Sequence, residues 1–415
     1  MRNIHQTCCG LDVHKRTVTA CLLTRGARGR TEKTIRTVGT MTRDLEELAA
    51  WLQEAGCEQV AMESTGVYWK PVYNVLERTC REVLLVNAQH IKHVPGRKTD
   101  VKDAEWIAEL LSHGLLTGSF VPPQEIRELR ELTRYRQSLI QERARLANRI
   151  QKLLEGGNIK LASVASDVLG VSGRDMLAAL AQGEDDLQVM AEMARGRLRT
   201  KIPELVEALR GVLSETQRWL LGEQLREVAH HDESIARLNE RIEELTRPFV
   251  AVISHLCEIP GVSARVAEVI VAEIGLDMRR FPTASNLASW AGMCPGSHES
   301  AGKRQSGRCT AGNRHLKAIL TEAAWAAGRT KDTYLASKYH ALAHRRGKKK
   351  ACIGTGHAIL EICHYLISHP EEHYRDLGPE WLDKFRHKSV TNHLVHRLEG
   401  LGYKVQLEQT PKTAA

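Results

Sequence analysis

Short apolar runs separated by amphipathic stretches make up the first hundred or so residues of the chain. Runs rich in small, β-branched and apolar residues predict strands. The predicted strands occupy residues 7–15, 17–24, 33–40, 59–64 and 82–86. Apolar residues spaced three and four apart predict helices at residues 42–55, 67–80 and 98–111. Thr42 is the predicted N-cap of the first helix, and Thr99 or Asp100 that of the third.

The resulting order, βββαβαβα, is typical of an α/β RNase H-like fold, a mixed sheet with helices on its faces. Isolated carboxylates recur in it: Asp12 in the first strand, Glu63 at the end of the fourth, and Asp100 and Asp103 in the first turn of the last helix. An acid in a buried strand is costly unless it is paired or binds a metal. Four such acids could hold two Mg²⁺ ions, which prefer oxygen ligands and assist phosphodiester chemistry. The alternative is that the acids are structural, the helical pair complementing the helix dipole.

Two long charged stretches follow, at residues 124–154 and 225–249, with apolar residues three, four or seven apart. This spacing predicts the two arms of an antiparallel or intermolecular coiled coil, and ordinary helix packing is the alternative. Arg136 and Arg143 fall on the apolar seam of the first arm, so we expect its pairing to be imperfect. Residues 156–221 are predicted to be helical and carry no recognisable chemistry.

The last third of the chain contains glycine turns and basic runs. Residues 255–279 resemble a helix–hairpin–helix around Gly261, which would offer backbone N–H groups to phosphate. Residues 291–317 form a basic loop that its glycines keep open for close backbone approach. Residues 344–350 are a second basic run. The residues expected to contact nucleic acid are Gly261, Lys303, Arg304, Arg308, Arg314, Lys317, Arg345, Arg346, Lys348, Lys349 and Lys350.

The pattern as a whole predicts four parts. They are an α/β catalytic domain at residues 1–122, a long helical coiled-coil insert at 123–250, a mainly α-helical C-terminal domain with the helix–hairpin–helix at 251–370, and a polar tail of unknown role at 371–415.

The distribution of charge along the chain says more about binding partners than the overall composition does. The chain is 42% hydrophobic and 26% charged, which is ordinary for a soluble globular protein. Its net charge is +9, yet residues 301–350 alone carry thirteen Lys or Arg against two acids, a local balance of +11. A basic block of this size indicates a surface for a polyanion, a solvated face being the alternative.

Targeting and redox features are few. No apolar run approaches the roughly 20 residues of a membrane span, and the N-terminus has no signal pattern, so we expect a cytoplasmic protein with no membrane partner. The ten cysteines form no C-x-x-C pair, which argues against a zinc ribbon or a disulfide framework and predicts reduced thiols.

Two blocks of motifs together resemble one family. G-L-D-V-H-K, M-E-S-T-G and K-T-D-V-K-D-A resemble the RuvC-like DEDD domain of the IS-one-ten family of insertion-sequence transposases. W-A-G-M-C-P, E-S-A-G-K-R and G-N-R-H-L-K resemble that family's C-terminal transposase domain, most like its IS-eleven-eleven branch. The two blocks cover roughly residues 10–103 and 259–327.

This resemblance implies a DNA recombinase, the transposase of an insertion sequence. It implies that the four metal-binding carboxylates are Asp12, Glu63, Asp100 and Asp103, with Mg²⁺ as cofactor, and that the nucleophile is Ser300. Ala301 separates that serine from Gly302, a departure from the family pattern that leaves Ser306 as the fallback. The implied partners are double-stranded DNA at the element ends and the target, a structured guide RNA encoded by the element, and further copies of the chain in a dimer or tetramer with composite sites.

Two other functions remain open at this point. A RuvC-like junction nuclease would use the same acids with water as the nucleophile and would not need Ser300. A non-catalytic nucleic-acid-binding protein would use the acids only for structure. A P-loop is absent from the sequence, which agrees with a serine–phosphate linkage that conserves bond energy without ATP.

Overall fold

A computed structural model describes residues 4–26, 31–63, 66–87, 103–296, 298–300, 303–382 and 387–408, without the side chains of 298–300, 303–306 and 387–390. The chain divides into two compact units, Met1–Val121 and Pro122–Ala415. The finer division into four parts stays a prediction. Within the described residues no helix is long and apolar enough to cross a membrane. All ten cysteines are free thiols, and most are buried.

The first unit contains a five-stranded mixed sheet with three described helices. Its strands are β1 (Thr7–Val13), β2 (Thr17–Arg25), β3 (Thr31–Gly39), β4 (Gln59–Glu63) and β5 (Glu82–Val86). Its helices are α1 (Thr42–Glu54), α2 (Trp69–Leu76) and α3 (Asp103–Ser112). The strands lie in the order β3-β2-β1-β4-β5. β1, β2 and β3 pair antiparallel, whereas β1, β4 and β5 pair parallel. The predicted α/β sheet is thereby confirmed.

Helices cover both faces of this sheet. On one face, α1 and α2 pack on alternate residues of β1 and β4, among them Cys9, Leu11, Val60 and Met62. On the other face, α3 packs on Cys8, Cys21, Leu23 and Ala61. The alternation follows from the two-residue period of a strand, which sends neighbouring side chains to opposite faces.

The ends of all three helices predicted in the first unit differ from the structure, and α2, predicted at residues 67–80, spans Trp69–Leu76. Met41, not Thr42, is the N-cap of α1, because the Asp44 carboxylate accepts a hydrogen bond from the Met41 backbone N–H at 3.3 Å. The predicted third helix began at residue 98, and residues 98–102, with both of its candidate caps, lie outside the described residues. Its described part, α3, begins at Asp103.

The second unit is mainly helical. Its helices are α4 (Gln124–Gly156), α5 (Leu161–Val164), α6 (Val171–Gln182), α7 (Leu187–Glu192), α8 (Ile202–Leu209), α9 (Glu215–Thr246), α10 (Val250–Cys257), α11 (Ala264–Ile274), α12 (Ala284–Trp290), α13 (Arg314–Ala327), α14 (Tyr334–Arg346), α15 (Lys348–Ser368) and α16 (His387–Gly400). In the part of this unit that the structure describes, three short 3-10 helices lie at Gly196–Lys201, Arg247–Phe249 and Met278–Arg280. One β-hairpin joins β6 (His298–Ser300) to β7 (Lys303–Ser306).

The two long helices α4 and α9 pair antiparallel within one chain. Arg143 Nε contacts Asp232 Oδ1 at 2.5 Å, and one heptad away Arg136 Nη1 donates to Asn239 Oδ1 at 3.0 Å. Later residues of α4 thus meet earlier residues of α9. Each arginine that was expected to weaken the seam has a polar partner on the facing helix, although Nη2 of the buried Arg136 has no hydrogen-bond partner within the described residues. The seam is therefore filled inside the chain, as the antiparallel alternative predicted.

The second of these helices begins at Glu215, not at residue 225 as predicted. Ser214 Oγ accepts from the Gln217 N–H, and Gln217 Oε1 accepts from the Ser214 N–H, so the two residues form a capping box. The far ends of α4 and α9 share an apolar core with α6 and the short helices between them. This core includes Leu146, Ile150, Leu154, Met176, Leu177, Leu221 and Val228.

Candidate functional site

Asp12 and Glu63 lie at the same end of two neighbouring parallel strands. β1 and β4 pair in register through Gly10–Ala61 and Leu11–Met62, and the two acids follow immediately after the last pair. Leu11 and Met62 belong to the core under α1 and α2. Because side chains alternate along a strand, both acids belong to the opposite face, which α3 covers.

Helix α3 brings a third acid to this region of the sheet. Gly10 lies where α3 crosses β1: a Cβ there would be 2.3 Å from Ala104 O and 2.4 Å from Ala108 N. The helix backbone therefore rests directly on the strand, two residues before Asp12. Asp103 is the first residue of α3 and directly precedes Ala104. Asp100, the fourth predicted acid, lies outside the described residues.

The three described acids offer oxygen ligands, the type that Mg²⁺ prefers. Their arrangement is open: within the described residues, three ligand atoms come within 4.8 Å of one another only in a different group, on the second unit. Asp12 Oδ2 lies 3.1 Å from Nε2 of His14, two residues further on. This histidine belongs to the G-L-D-V-H-K motif, and its contact with Asp12 was not predicted from the sequence.

Lys33 on β3 connects that strand to the outer side of α3. Its Nζ donates to Glu109 Oε1 at 2.7 Å and to Glu105 Oε2 at 3.4 Å. The hydrogen bond with Glu109 raises the pKa of Lys33. This pair of contacts, which sequence reasoning missed, helps to hold α3 across the sheet.

The backbone of the predicted nucleophile, Ser300, lies in the hairpin of the second unit. Ser300 pairs with Lys303 at one end of the β6–β7 ladder, and Ser306 pairs with His298 at the other end. Below the hairpin, Pro295 pairs with Cys309, and the Gly296 N–H donates to Arg308 O at 2.7 Å. The predicted open loop therefore contains a short two-stranded stem.

The base of this hairpin is closed by a contact between two glycine backbones. A Cβ at Gly312 would lie 2.3 Å from the Gly292 nitrogen, and Gly292 itself has φ +70°. Lys317 Nζ donates to Gly292 O at 3.1 Å and so supports the same crossing. At these two positions the glycines therefore allow close packing within the chain, whereas the prediction was that the loop glycines keep the loop open; that role stays a prediction for the other loop glycines.

A buried carboxylate, Glu273 on α11, connects the hairpin base to α4. Arg134 donates to its two oxygens at 2.7 and 2.8 Å, and Asn313 donates to Oε2 at 2.5 Å. Arg130 Nε lies 3.5 Å from Oε2. Asn313 is also the N-cap of α13, because its Oδ1 accepts from the N–H groups of His315 and Leu316. One carboxylate thus fixes the end of the loop that carries Ser300.

The charges around Glu273 change two pKa values. Burial alone would raise the pKa of Glu273, but the hydrogen bonds from Arg134 and the charge of Arg130 outweigh it, so this pKa lies below its ordinary value. Burial and the charge of Arg134 lower the pKa of His315. His315 Nδ1 lies 3.0 Å from Gln137 Oε1 on α4.

A basic surface surrounds the junction of α14 and α15. Arg345 and Arg346 end α14, Gly347 turns the chain with φ +81°, and Lys348 is the first of three lysines that begin α15. All five basic side chains are exposed. Lysines in a first helical turn lie at the positive end of the helix dipole, which destabilises the helix slightly. The same combination of charges attracts anions to this position.

The predicted hairpin turn at Gly261 packs on α13. Its φ is +87°, and a Cβ there would lie 2.3 Å from Ala323 O. Ser263, two residues further on, is the N-cap of α11: its Oγ accepts from the Val266 N–H at 3.4 Å. Among the other predicted nucleic-acid contacts, Arg308 and Arg314 are exposed, and the side chains of Lys303 and Arg304 lie outside the description.

Comparison with known proteins places both units among transposases. The model of the IS110 DEDD transposase domain matches residues 9–159. The model described as transposase IS116/IS110/IS902 family matches residues 253–341. Together the two matches cover more than half of the chain and fall on the sheet with the acids and on the unit with the hairpin.

Curated relatives agree with these matches. A putative transposase y4pF/y4sB of Sinorhizobium fredii is 28% identical over 280 residues, which are 66% of this chain and 62% of the relative. An uncharacterized 44.8 kDa protein of insertion element IS116 from Streptomyces clavuligerus is 27% identical over 63% of this chain and 73% of the relative. An uncharacterized 43.6 kDa protein of IS110 from Streptomyces coelicolor is 29% identical over 56% of this chain and 61% of the relative. The chain thus spans about three fifths to three quarters of the length of these relatives.

The chain belongs to the IS110 (IS-one-ten) family of transposases. The family predicted from the motifs is thereby confirmed, and the IS-eleven-eleven branch stays a prediction.

Proposed function

We propose that this protein is the transposase of an insertion sequence, a DNA recombinase that cuts and rejoins DNA with a carboxylate site and a serine nucleophile. The observation that carries the proposal is the placement of Asp12 and Glu63 at one end of adjacent parallel strands, under the helix that begins with Asp103. Carboxylates that converge on one sheet edge are costly unless something cationic is shared between them. The sheet order also supports the proposed RNase H-like fold.

In this proposal Asp12, Glu63, Asp100 and Asp103 hold Mg²⁺. When bound, Mg²⁺ would neutralise the phosphate and stabilise the leaving oxygen. The chain's own residues position the site: α3 rests on Gly10, which keeps Asp103 close to the strand ends, and His14 contacts Asp12 from the solvent side.

We assign the nucleophile to Ser300, with Ser306 as the fallback. Its hydroxyl oxygen would form a bond to a DNA phosphorus, and the bond to one strand oxygen would break. The serine proton would end on that oxygen, which leaves as a strand-end hydroxyl. Reversal with a different strand end rejoins DNA without another energy source. A serine hydroxyl needs activation, which this proposal takes from the carboxylate site of another subunit.

Nucleic-acid binding is assigned to the second unit. The exposed junction between α14 and α15 carries Arg345, Arg346 and three lysines, and it provides positive charge for phosphate. Sequence choice would then come from a structured guide RNA, as the family resemblance implies. A dimer or tetramer would be needed to complete the composite sites.

A trapping assay tests the chemistry. Purified protein is incubated with Mg²⁺, element-end DNA and co-purified RNA, and denatured samples are examined for DNA attached to protein. We expect an adduct that mass spectrometry places on Ser300, that Ser300→Ala and Asp12→Asn abolish, and that Ser306→Ala leaves intact. An adduct on Ser306 would move the nucleophile to that residue.

Two outcomes would replace the proposal. Cleavage without any adduct that persists in Ser300→Ala would indicate the junction nuclease with water as nucleophile. Unchanged recombination by Asp12→Asn, with stability lowered, would indicate that the acids are structural. Removal of co-purified RNA by ribonuclease tests the guide: recombination that continues at the same target after digestion contradicts RNA guidance. Mass photometry of the active complex measures the number of subunits.

A further inference from the structure

Two histidines and a glutamate, far apart in the sequence and unused by the proposed chemistry, meet on the surface of the second unit. His255 lies in the last turn of α10, and Glu258 follows as the C-cap of that helix. His373 comes from the segment after α15, 115 residues beyond Glu258. One ligand atom of each residue lies within 4.8 Å of those of the other two.

From this cluster we propose a binding site for a zinc-like divalent transition metal. Two imidazoles and one carboxylate are the donors that such ions select, whereas Mg²⁺ prefers an all-oxygen shell. Three protein ligands leave one position of a tetrahedral ion for water, so the metal is exchangeable and can be removed by a chelator. The site is separate from the acids of the first unit.

The local geometry supports convergence on one ion. His373 Nδ1 already lies 2.8 Å from Glu258 Oε1. The rings of His255 and His373 lie 4.6 Å apart and are inclined at 58°, so they do not stack flat. A tetrahedral ion with bonds of about 2 Å needs ligand atoms about 3.3 Å apart. Small side-chain rotations supply the difference, and His373, with 64% of its side chain exposed, is free to make them.

The surrounding contacts fix the carboxylate and the segment that carries His373. The second oxygen of Glu258 accepts from the Tyr374 N–H at 3.0 Å. The Tyr374 hydroxyl donates to Asp376 Oδ2 at 2.7 Å, and Asp376 Oδ1 accepts from the N–H of Tyr334 on α14. Metal ligands whose orientation is fixed by outer hydrogen bonds bind more tightly than free ones.

A metal at this position would join the start of the Gly261 hairpin to the segment that follows α15. A metal cross-link between residues so far apart in sequence closes a long loop, and it therefore lowers the conformational entropy of the unfolded chain more than a link between near neighbours would. The site would therefore hold the C-terminal segment against the nucleic-acid-binding part of the unit without taking part in strand transfer.

Zinc titration of the full-length, chelator-treated protein tests this site. ZnCl₂ is added in competition with a chromophoric zinc indicator, and wild type is compared with His373→Gln and His255→Gln. We expect each variant to lose one equivalent of zinc or to bind it at least about tenfold more weakly. His369→Gln, which changes a histidine four positions away, should bind like wild type. Addition of MgCl₂ should not displace the zinc.

A second measurement distinguishes zinc bound at this site from zinc bound elsewhere on the protein. Hydrogen exchange of the amides at residues 371–376 should slow on addition of zinc in wild type and should not change in His373→Gln. Melting curves in chelator check that the variants fold. Superimposable zinc isotherms for wild type and both histidine variants, or no zinc bound by wild type, would leave only a surface His–Glu ion pair and overturn the proposal.

Discussion

Replacement of Glu273 by alanine should destabilise the second unit by about 3 kcal/mol. The carboxylate is fully buried and pairs with Arg134, of which 38% of the side chain is exposed, and with Arg130, of which 15% is exposed. Removal of one partner from a buried ion pair costs about 3–5 kcal/mol, because the remaining charge is left uncompensated. We expect a cost at the lower end of this range, because both arginines have other partners available. Arg134 can turn to water, and Arg130 keeps its hydrogen bonds to the carbonyls of Ala272 and residue 273.

Native-state hydrogen exchange of amides in α11 and α13 measures this effect locally, so the first unit does not contribute to the reading. The Glu273→Ala variant should also weaken the cap of α13, since Asn313 loses the acceptor that positions it. In the double mutant with Arg134→Ala, the total cost should fall below the sum of the single costs by about 0.5–3 kcal/mol. The matched control is Glu240→Ala, an exposed acid on α9, which should change stability by less than about 0.5 kcal/mol.

The same pair has a defined pH dependence. Because the pKa of Glu273 is lowered on folding, its contribution is present above the ordinary carboxyl pKa of about 4.3 and is lost as the pH falls through the folded value. The stability difference between wild type and Glu273→Ala should thus stay constant down to about pH 4 and narrow below it. A cost for Glu273→Ala no greater than that for Glu240→Ala, or full additivity with Arg134→Ala, would refute this reasoning.

Three further predictions follow from other parts of the structure. Gly10→Ala should lower the free energy of unfolding by about 1–3 kcal/mol or more, because the new Cβ would overlap the backbone of α3. Hydrogen exchange of the α3 amides measures this loss. Gly307→Ala is the control, since a Cβ at that position would have nothing within 4 Å. Replacement of the lysines at 348–350 by alanine should weaken DNA binding equally for all sequences. The dependence of log K on log salt concentration should become less steep by about 1 for each phosphate that a lysine no longer neutralises. Lys152→Ala should leave the affinity and this slope unchanged, and an unchanged slope in the 348–350 variant would contradict binding of phosphate by these lysines. The pKa of His315 is lowered in the folded state, so the unfolded chain binds more protons and stability falls as the pH drops below about 6.5. His315→Gln should flatten this part of the stability profile, and an equal slope in both proteins would contradict it.

The sheet of the first unit could be predicted because its signal is local. Most residues of β1 and β4 are small or apolar, and the acids Asp12 and Glu63 stand out in them without any knowledge of neighbours. The cap of α1 was misassigned because Thr42 and Asp44 both offer a side-chain oxygen, and only the structure shows that Asp44 reaches back to residue 41. Local sequence patterns thus predict the helix itself but do not decide the residue at which it begins.

Contacts over long sequence separations could not be predicted in the same way. Glu273 stands in an apolar helix, and its sequence surroundings do not reveal Arg134, 139 residues earlier, which makes its burial possible. His255 and His373 are likewise ordinary histidines until the fold brings them together. The start of α9 was different, because the S-E-T-Q capping box was present in the sequence and could have been used.

The antiparallel pairing of α4 and α9 makes the helical insert a side branch of the chain. Each helix has more than thirty residues and is about 50 Å long, and the chain returns beside the point at which it left. The branch carries its own apolar core at its tip, whereas the Glu273 cluster lies at its root. Its length is therefore independent of the geometry at the root. Equal numbers of heptads could be removed from both helices, or a reporter inserted at the tip, and the hairpin with Ser300 would keep its support.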